Sequence, residues 1–243
     1  MPPESDIDVH GVRRCRPRDL FFAERTCENS MTFPSDIAIR TVLDELHSAA
    51  DGDRERWQAR TGSTDAAQNA RGGGDLVRLG EFYLAASPEA GRLLYMLGRS
   101  SKAQTMVEFG ASFGVSTLYL GAAAKENGGH LITTEVHPEK CAALRKNLDR
   151  TSLADHVTLL IGDARQTLAN VDGPVDLLYL DGWKSAYLPV YQLMRPKLAP
   201  GCLILADNYA HEAAKPYLDA IQATESGCVT VLMDDLAISC VVA

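Results

Sequence analysis

The sequence predicts an α/β fold, a mostly parallel sheet with helices on both faces and an antiparallel hairpin at its end. Two observations carry this. From Ser87 onward, short β-type runs alternate with helical stretches, the pattern of βαβ units. The last two runs have only Asp234-Asp235-Leu236 between them, too short for a crossover helix, so they pair antiparallel.

Taken in order, Pro34-Ser35-Asp36 reads as a helix start, followed by Ile37, Ile39, Val42, Leu43 and Leu46 at near-helical spacing. Residues 51–75 turn hydrophilic, hold one aromatic (Trp57) and end in Gly72-Gly73-Gly74. That stretch reads either as a disordered surface loop or as a lid. Ser87-Pro88-Glu89 opens a helix with proline at its first position. Strands are expected at Thr105–Phe109, His130–Glu135, Val157–Ile161, Val175–Leu180, Cys202–Ala206, Cys228–Met233 and Ala237–Val242. Helices are expected to start near Val115, Pro138, Ala164, Lys184 and Glu212. The expected division is an N-terminal helical or irregular extension over 1–85 and a sheet domain over 86–243.

Composition narrows the function. The chain has 243 residues, with 24 basic and 32 acidic side chains for a formal charge of −8. That balance argues against nucleic-acid binding, which needs a basic face. No apolar run reaches the roughly 18–20 residues of a membrane span, and the polar N-terminus lacks a signal pattern. The six cysteines form no C-x-x-C pair and read as reduced thiols of a cytoplasmic protein. No G-x-S-x-G elbow is present. His137, His156 and His211 read as surface or structural, with His211 the candidate exception because it follows Asp207-Asn208.

In open α/β sheets ligands bind beyond the C-terminal strand ends. The first strand ends in Glu108-Phe109-Gly110-Ala111-Ser112-Phe113-Gly114-Val115-Ser116, where two glycines allow a tight turn and close backbone approach. The second ends in Glu135, placed to accept both hydroxyls of a ribose. The third ends in Gly162-Asp163-Ala164, suited to an adenine edge or to a helix N-cap. The fourth and fifth end in Asp181-Gly182-Trp183-Lys184 and Asp207-Asn208. On neighbouring strands about 4.8 Å apart, those oxygens would converge and suit a hard divalent cation; helix capping is the alternative. Lys184 sits near a helix start, where the dipole disfavours a cation, and such local conflicts concentrate at sites.

The motifs VEFGASFGVSTLYL, ITTEVHPE, LLIGDA, LYLDGWKSAYLP and LILADN, together spanning Met106 to Asn208, resemble the class I S-adenosylmethionine-dependent O-methyltransferases of the catechol and caffeoyl-CoA type. The resemblance implies a Rossmann-like sheet of seven strands. It implies cofactor contacts from Glu108, Gly110, Gly114, Ser116, Glu135, Asp163, Ala164, Asp181 and Trp183. It implies a divalent metal, Mg²⁺, on Asp181, Asp207 and Asn208, with Lys184 as catalytic base beside Asp181. The acceptor it implies is a small hydroxylated, catechol-like aromatic, and a homodimer is compatible with it. Three departures stand out. Ala237 occupies the place of an acidic residue in the mammalian catechol enzymes, Tyr209-Ala210-His211 replaces a proline-bearing loop, and the first 85 residues do not align. A metal-independent methyltransferase, a nicotinamide-dependent oxidoreductase without the usual G-x-G-x-x-G, and a binding module that retains the pocket are the competing readings.

Overall fold

The computed structural model describes residues 36–53, 55, 56, 59, 80 and 82–242, all within one compact unit. The expectations for Cys15, Cys27 and Trp57, and for most of residues 51–75, lie outside those residues.

Helix α1 (Ile37–Ala50) is N-capped by Asp36, whose side chain accepts from the Ala38 N–H, and it buries Ile39, Val42, Leu43 and Leu46. Helix α2 (Pro88–Ser100) is capped by Ser87, which accepts from the Ala90 N–H. Strand β1 (Thr105–Phe109) leads into α3 (Val115–Asn127), whose first ten residues are all buried. The run VSTLYLGAAA has no polar face to turn outward, so α3 lies between the sheet and other helices. Strands β2 (His130–Glu135) and β3 (Val157–Ile161) flank α4 (Pro138–Arg150). A single turn, α5 (Ala164–Thr167), precedes β4 (Val175–Leu180). Helix α6 (Tyr187–Met194), β5 (Leu198–Asp207), α7 (Lys215–Gln222), β6 (Cys228–Met233) and β7 (Leu236–Val241) complete the chain.

The strand order is β3-β2-β1-β4-β5-β7-β6. The first five strands are parallel, β7 runs antiparallel to β5 and β6 antiparallel to β7. One sheet face packs on a core shared by α1, α2, α3 and α4, the other on a core of α5, α6 and α7. Helix α1, although upstream of residue 85, therefore contributes to the same core as the sheet.

Strands β1, β2, β3, β4 and β6 have the expected bounds. Strand β5 starts at Leu198 rather than Cys202. Its Leu198 pairs with Val175 across a register shift, and Gly201 at φ 83° takes up the irregularity that Pro200-Gly201 signals as a break. Strand β7 starts one residue early, leaving Asp234-Asp235 as the turn, with Asp234 at φ 47°. The helices expected at Lys184 and Glu212 open as 3-10 turns, Lys184–Ala186 and Glu212–Ala214, before α6 and α7 begin.

Candidate active site

The strand order reverses between β1 and β4, and the chain opens there into a cleft of about 1000 Å³ above the C-terminal strand ends. The loops after β1 and β4 touch at its floor. The Asp181 N–H donates to the Phe109 carbonyl at 2.9 Å. Gly110 has φ 99°, and a Cβ there would lie 2.7 Å from the Gly182 backbone. Only glycine satisfies both constraints. Gly114, at φ 102°, opens α3, and a side chain on it would strike Leu144.

Glu135 ties the glycine loop to β2. One carboxylate oxygen accepts from the Ser112 N–H at 2.8 Å, the other from the Val136 and His137 N–H groups at 2.8 Å. Each carboxylate oxygen has two lone pairs, so capacity remains for a hydroxyl in the cleft. Asp163 caps α5 by accepting from the Arg165 N–H, and the Arg165 guanidinium, paired with it, holds its carboxyl below the usual range. Buried Ala164 and half-buried Trp183 line the same cleft.

Glu108 lies elsewhere. It is fully buried beneath the loop, outside the cleft lining, with Oε2 accepting from the Thr117 and Thr133 hydroxyls at 2.6 Å each. Ser116 lines the cleft, next in the chain to Thr117, whose hydroxyl bonds Glu108. Glu108 thus acts on the cleft only through the loop and helix above it.

Asp181, Asp207, Asn208 and Lys184 come together at the other end of the cleft. Lys184 Nζ donates to Asp181 Oδ1 at 3.1 Å and to the Tyr187 hydroxyl at 2.8 Å, and that hydroxyl donates to the Asp207 carbonyl at 3.0 Å. The Asp181 and Lys184 side chains are only 12% and 16% exposed. Burial raises the Asp181 carboxyl above its ordinary range, against the pull of Lys184. Burial, and then the Asp181 charge, push Asp207 up to about 7. Asn208 turns through φ 49° at the exposed rim. Two crowded carboxylates and an amide oxygen form a hard donor set whose mutual repulsion a divalent cation would relieve, so these residues fit such an ion. Among the described residues no cluster of three or more His, Cys, Asp or Glu side chains could hold a metal, so the third protein donor would be the amide.

His211 lies at the cleft rim, where its Nδ1 accepts from the Ala213 N–H. Sequence reasoning missed Tyr187, although its spacing from Lys184 matches neighbours on a helical turn. It also missed Lys140 and Tyr83 in the cleft wall, for which no motif gave a signal, and gave no role to Phe113, which the glycine-loop motif contains. Among the described residues Cys141, Cys202, Cys228 and Cys240 are free thiols, and no helix is long and apolar enough to cross a membrane.

Residues 107–209 match a family model described as a methyltransferase domain. A catechol O-methyltransferase of Niastella koreensis is 33% identical over 137 residues, 55% of this chain and 62% of that protein. A catechol O-methyltransferase of Mycobacterium tuberculosis is 29% identical over 164 residues, 67% of this chain and 69% of that protein. The chain thus spans less than two thirds of the Niastella koreensis relative. In fold it is similar to an O-methyltransferase from Bacillus cereus in complex with SAH, with a TM-score of 0.61 at 19% identity, covering 82% of this chain and 100% of that one. The matched segment begins within β1 and ends just past Asp207-Asn208, so it contains the glycine loop, Glu135, Asp163 and the Asp181–Lys184 turn. Over residues 107–209 the chain is thus similar to methyltransferase domains, and the relatives matched there are named catechol O-methyltransferases.

Proposed function

We propose that this protein transfers the methyl group of S-adenosylmethionine to a hydroxyl of a small, catechol-like aromatic acceptor, with Mg²⁺ held by Asp181, Asp207 and Asn208. The observation that carries this reading is the buried Asp181–Asp207 pair, with Lys184 against it, at one end of a cleft whose other end is built from Gly110, Gly114 and Glu135.

S-adenosylmethionine supplies a sulfonium-borne methyl group open to attack by oxygen. Gly110 and Gly114 let the backbone approach its methionine part, and Ser116 takes the carboxylate. Glu135 accepts the ribose hydroxyls, while Asp163 and Ala164 border the adenine and Trp183 packs beside it or the acceptor. Asp181, Asp207 and Asn208 would hold a divalent ion, which would supply Lewis-acid stabilisation of negative charge on a phenolic oxygen. A phenol with pKa near 10 is largely protonated at neutral pH, so its proton must leave as the oxygen attacks. Lys184 Nζ, acting as the neutral amine, takes that proton and becomes the ammonium, held by Asp181 Oδ1 and the Tyr187 hydroxyl. Holding oxygen and methyl in line at about 3–3.5 Å supplies the orientation advantage.

A metal-independent reaction has one observation in its favour. The Lys184 ammonium, 3.1 Å from Asp181, already provides a counter-charge to the pair. A labelled methyl-transfer screen over vicinal-diol aromatics, with magnesium or with excess chelator, tests both readings. Turnover that needs the metal is expected. Full turnover in chelator selects the metal-independent reaction, and no transfer to any hydroxylated aromatic overturns the proposal.

A further inference from the structure

The wall of the cleft holds a cation that the reaction as described does not use. Lys140 stands in the first turn of α4 and is 6% exposed, yet it lines the cleft. Among the described residues its ammonium meets the Phe113 ring, 5.4 Å from the centroid, and has no carboxylate or carbonyl within hydrogen-bonding distance. Two costs fall on this side chain. Burial strips water from the charge and the N-terminal end of α4 opposes it, and among the described residues no ion pair offsets either. Burial accordingly lowers its pKa, with the Glu135, Asp53 and Asp181 charges acting the other way from a distance. A ring face returns only part of the lost hydration.

A second feature points to the same corner. Phe113, beneath the ammonium, immediately precedes Gly114, the cap of α3, and that cap offers no side chain to the N–H groups of the first turn. Val115 and Ser116 of this turn line the cleft. An uncapped helix start and a buried, unpartnered ammonium therefore lie on either side of one loop residue. Together they present positive potential and hydrogen-bond donors to an anion of carboxylate size.

Resting on the proposed function, we infer that Lys140 is a cofactor-binding residue that pairs with the α-carboxylate of S-adenosylmethionine, opposite the first turn of α3. Glu135 fixes the nucleoside end, and the carboxylate is the cofactor's one anionic group. Closing this pair gives the Lys140 charge a partner that it lacks among the described residues, and fixes the methionine chain at both ends.

The test compares two ligands by calorimetry. S-adenosylhomocysteine carries the carboxylate, whereas 5′-methylthioadenosine keeps the nucleoside and thioether without it. Lys140→Met retains the apolar stem over Phe113, and Lys140→Arg retains the charge. The expected result is that Lys140→Met weakens S-adenosylhomocysteine by about tenfold or more, changes 5′-methylthioadenosine by less than about twofold, and that Lys140→Arg restores most of the loss. Unchanged affinity for S-adenosylhomocysteine, or equal loss for both ligands, overturns the inference. So does an unchanged cofactor affinity with a raised KM for the acceptor, which would assign the anion to the acceptor. A wild-type protein that binds neither ligand would remove the proposed function itself, a result distinct from a wild type that binds both while Lys140→Met behaves like it.

Discussion

The carboxyl groups of Asp181 and Asp207 crowd each other at the ends of neighbouring strands. The register forces this meeting, because Leu180 pairs with Ala206 and each aspartate is the next residue in the chain. Two buried carboxylates so placed repel each other, and the structure spends folding energy to keep them together. A cation that binds the folded chain and not the unfolded one should therefore stabilise it by mass action. Magnesium is expected to raise the melting temperature of the wild type at pH above about 7 and to leave Asp181→Ala or Asp207→Ala unmoved. Both variants should lose at least about a hundredfold in methyl transfer, and Asp207→Ala should leave S-adenosylhomocysteine affinity little changed. A calorimetric scan that shows the same magnesium response in wild type and variants would sink the assignment.

Lys184 is held from two sides, by Asp181 Oδ1 and by the Tyr187 hydroxyl, which is itself tied to the Asp207 backbone. Lys184→Ala should lower kcat by roughly 10²–10⁴, the usual contribution of a positioned base, with cofactor affinity nearly unchanged. Tyr187→Phe keeps the ring that packs edge-on against Phe109 and Tyr217 and removes only the hydroxyl. Its kcat should fall by a smaller factor, about five- to twentyfold, because Asp181 still orients the amine. Steady-state kinetics on the two variants distinguish these cases, and a Tyr187→Phe enzyme as slow as Lys184→Ala would make the tyrosine, not the lysine, the critical group.

Gly110 combines a left-handed backbone with direct contact against Gly182, so no neighbouring side chain can rotate away to make room. Gly110→Ala is expected to cost about 2–4 kcal/mol, the sum of conformational strain and a backbone clash. Urea unfolding measures this directly. Gly128→Ala provides the control: it shares the positive φ but meets nothing within 4 Å, and should cost only about 1 kcal/mol. Equal losses at the two positions would mean that the touching loops give way.

The strands were legible because each is a short β-type run whose polar or glycine-rich end marks where the chain leaves the sheet. Asp181 and Asp207 could be brought together from sequence once their strands were taken as neighbours, since strand spacing alone then fixes their approach. Lys140 and Tyr187 were not legible. What distinguishes them is the absence of a partner in one case and a bond to a backbone carbonyl 20 residues away in the other, and both depend on tertiary packing. Glu108 shows the opposite limit. Its place in the glycine-loop motif grouped it with the cofactor contacts, but strand alternation turns its side chain under α3 rather than into the cleft.

That placement makes Glu108 a source of pH-dependent stability. Its Oε2 joins β1 to α3 through Thr117 and to β2 through Thr133, while Oε1 is buried without a partner. Burial raises its carboxyl above the ordinary glutamate value, more than the hydroxyl donors lower it. The folded chain then holds the proton more tightly than the unfolded one. Its contribution is complete below the unfolded value and is lost as pH rises through the folded one. In Glu108→Gln the amide oxygen can still accept from both hydroxyls, and the NH₂ takes the place of Oε1, where the O–H of the protonated acid is likewise unpaired, so the variant buries no charge at any pH. The variant should therefore lose less stability than the wild type as pH rises above the ordinary glutamate value. Calorimetric melting curves across that range check the difference in slope. Parallel profiles would mean that Glu108 ionises in the fold as readily as in the open chain, and the penalty argued from its burial would have no place in the account.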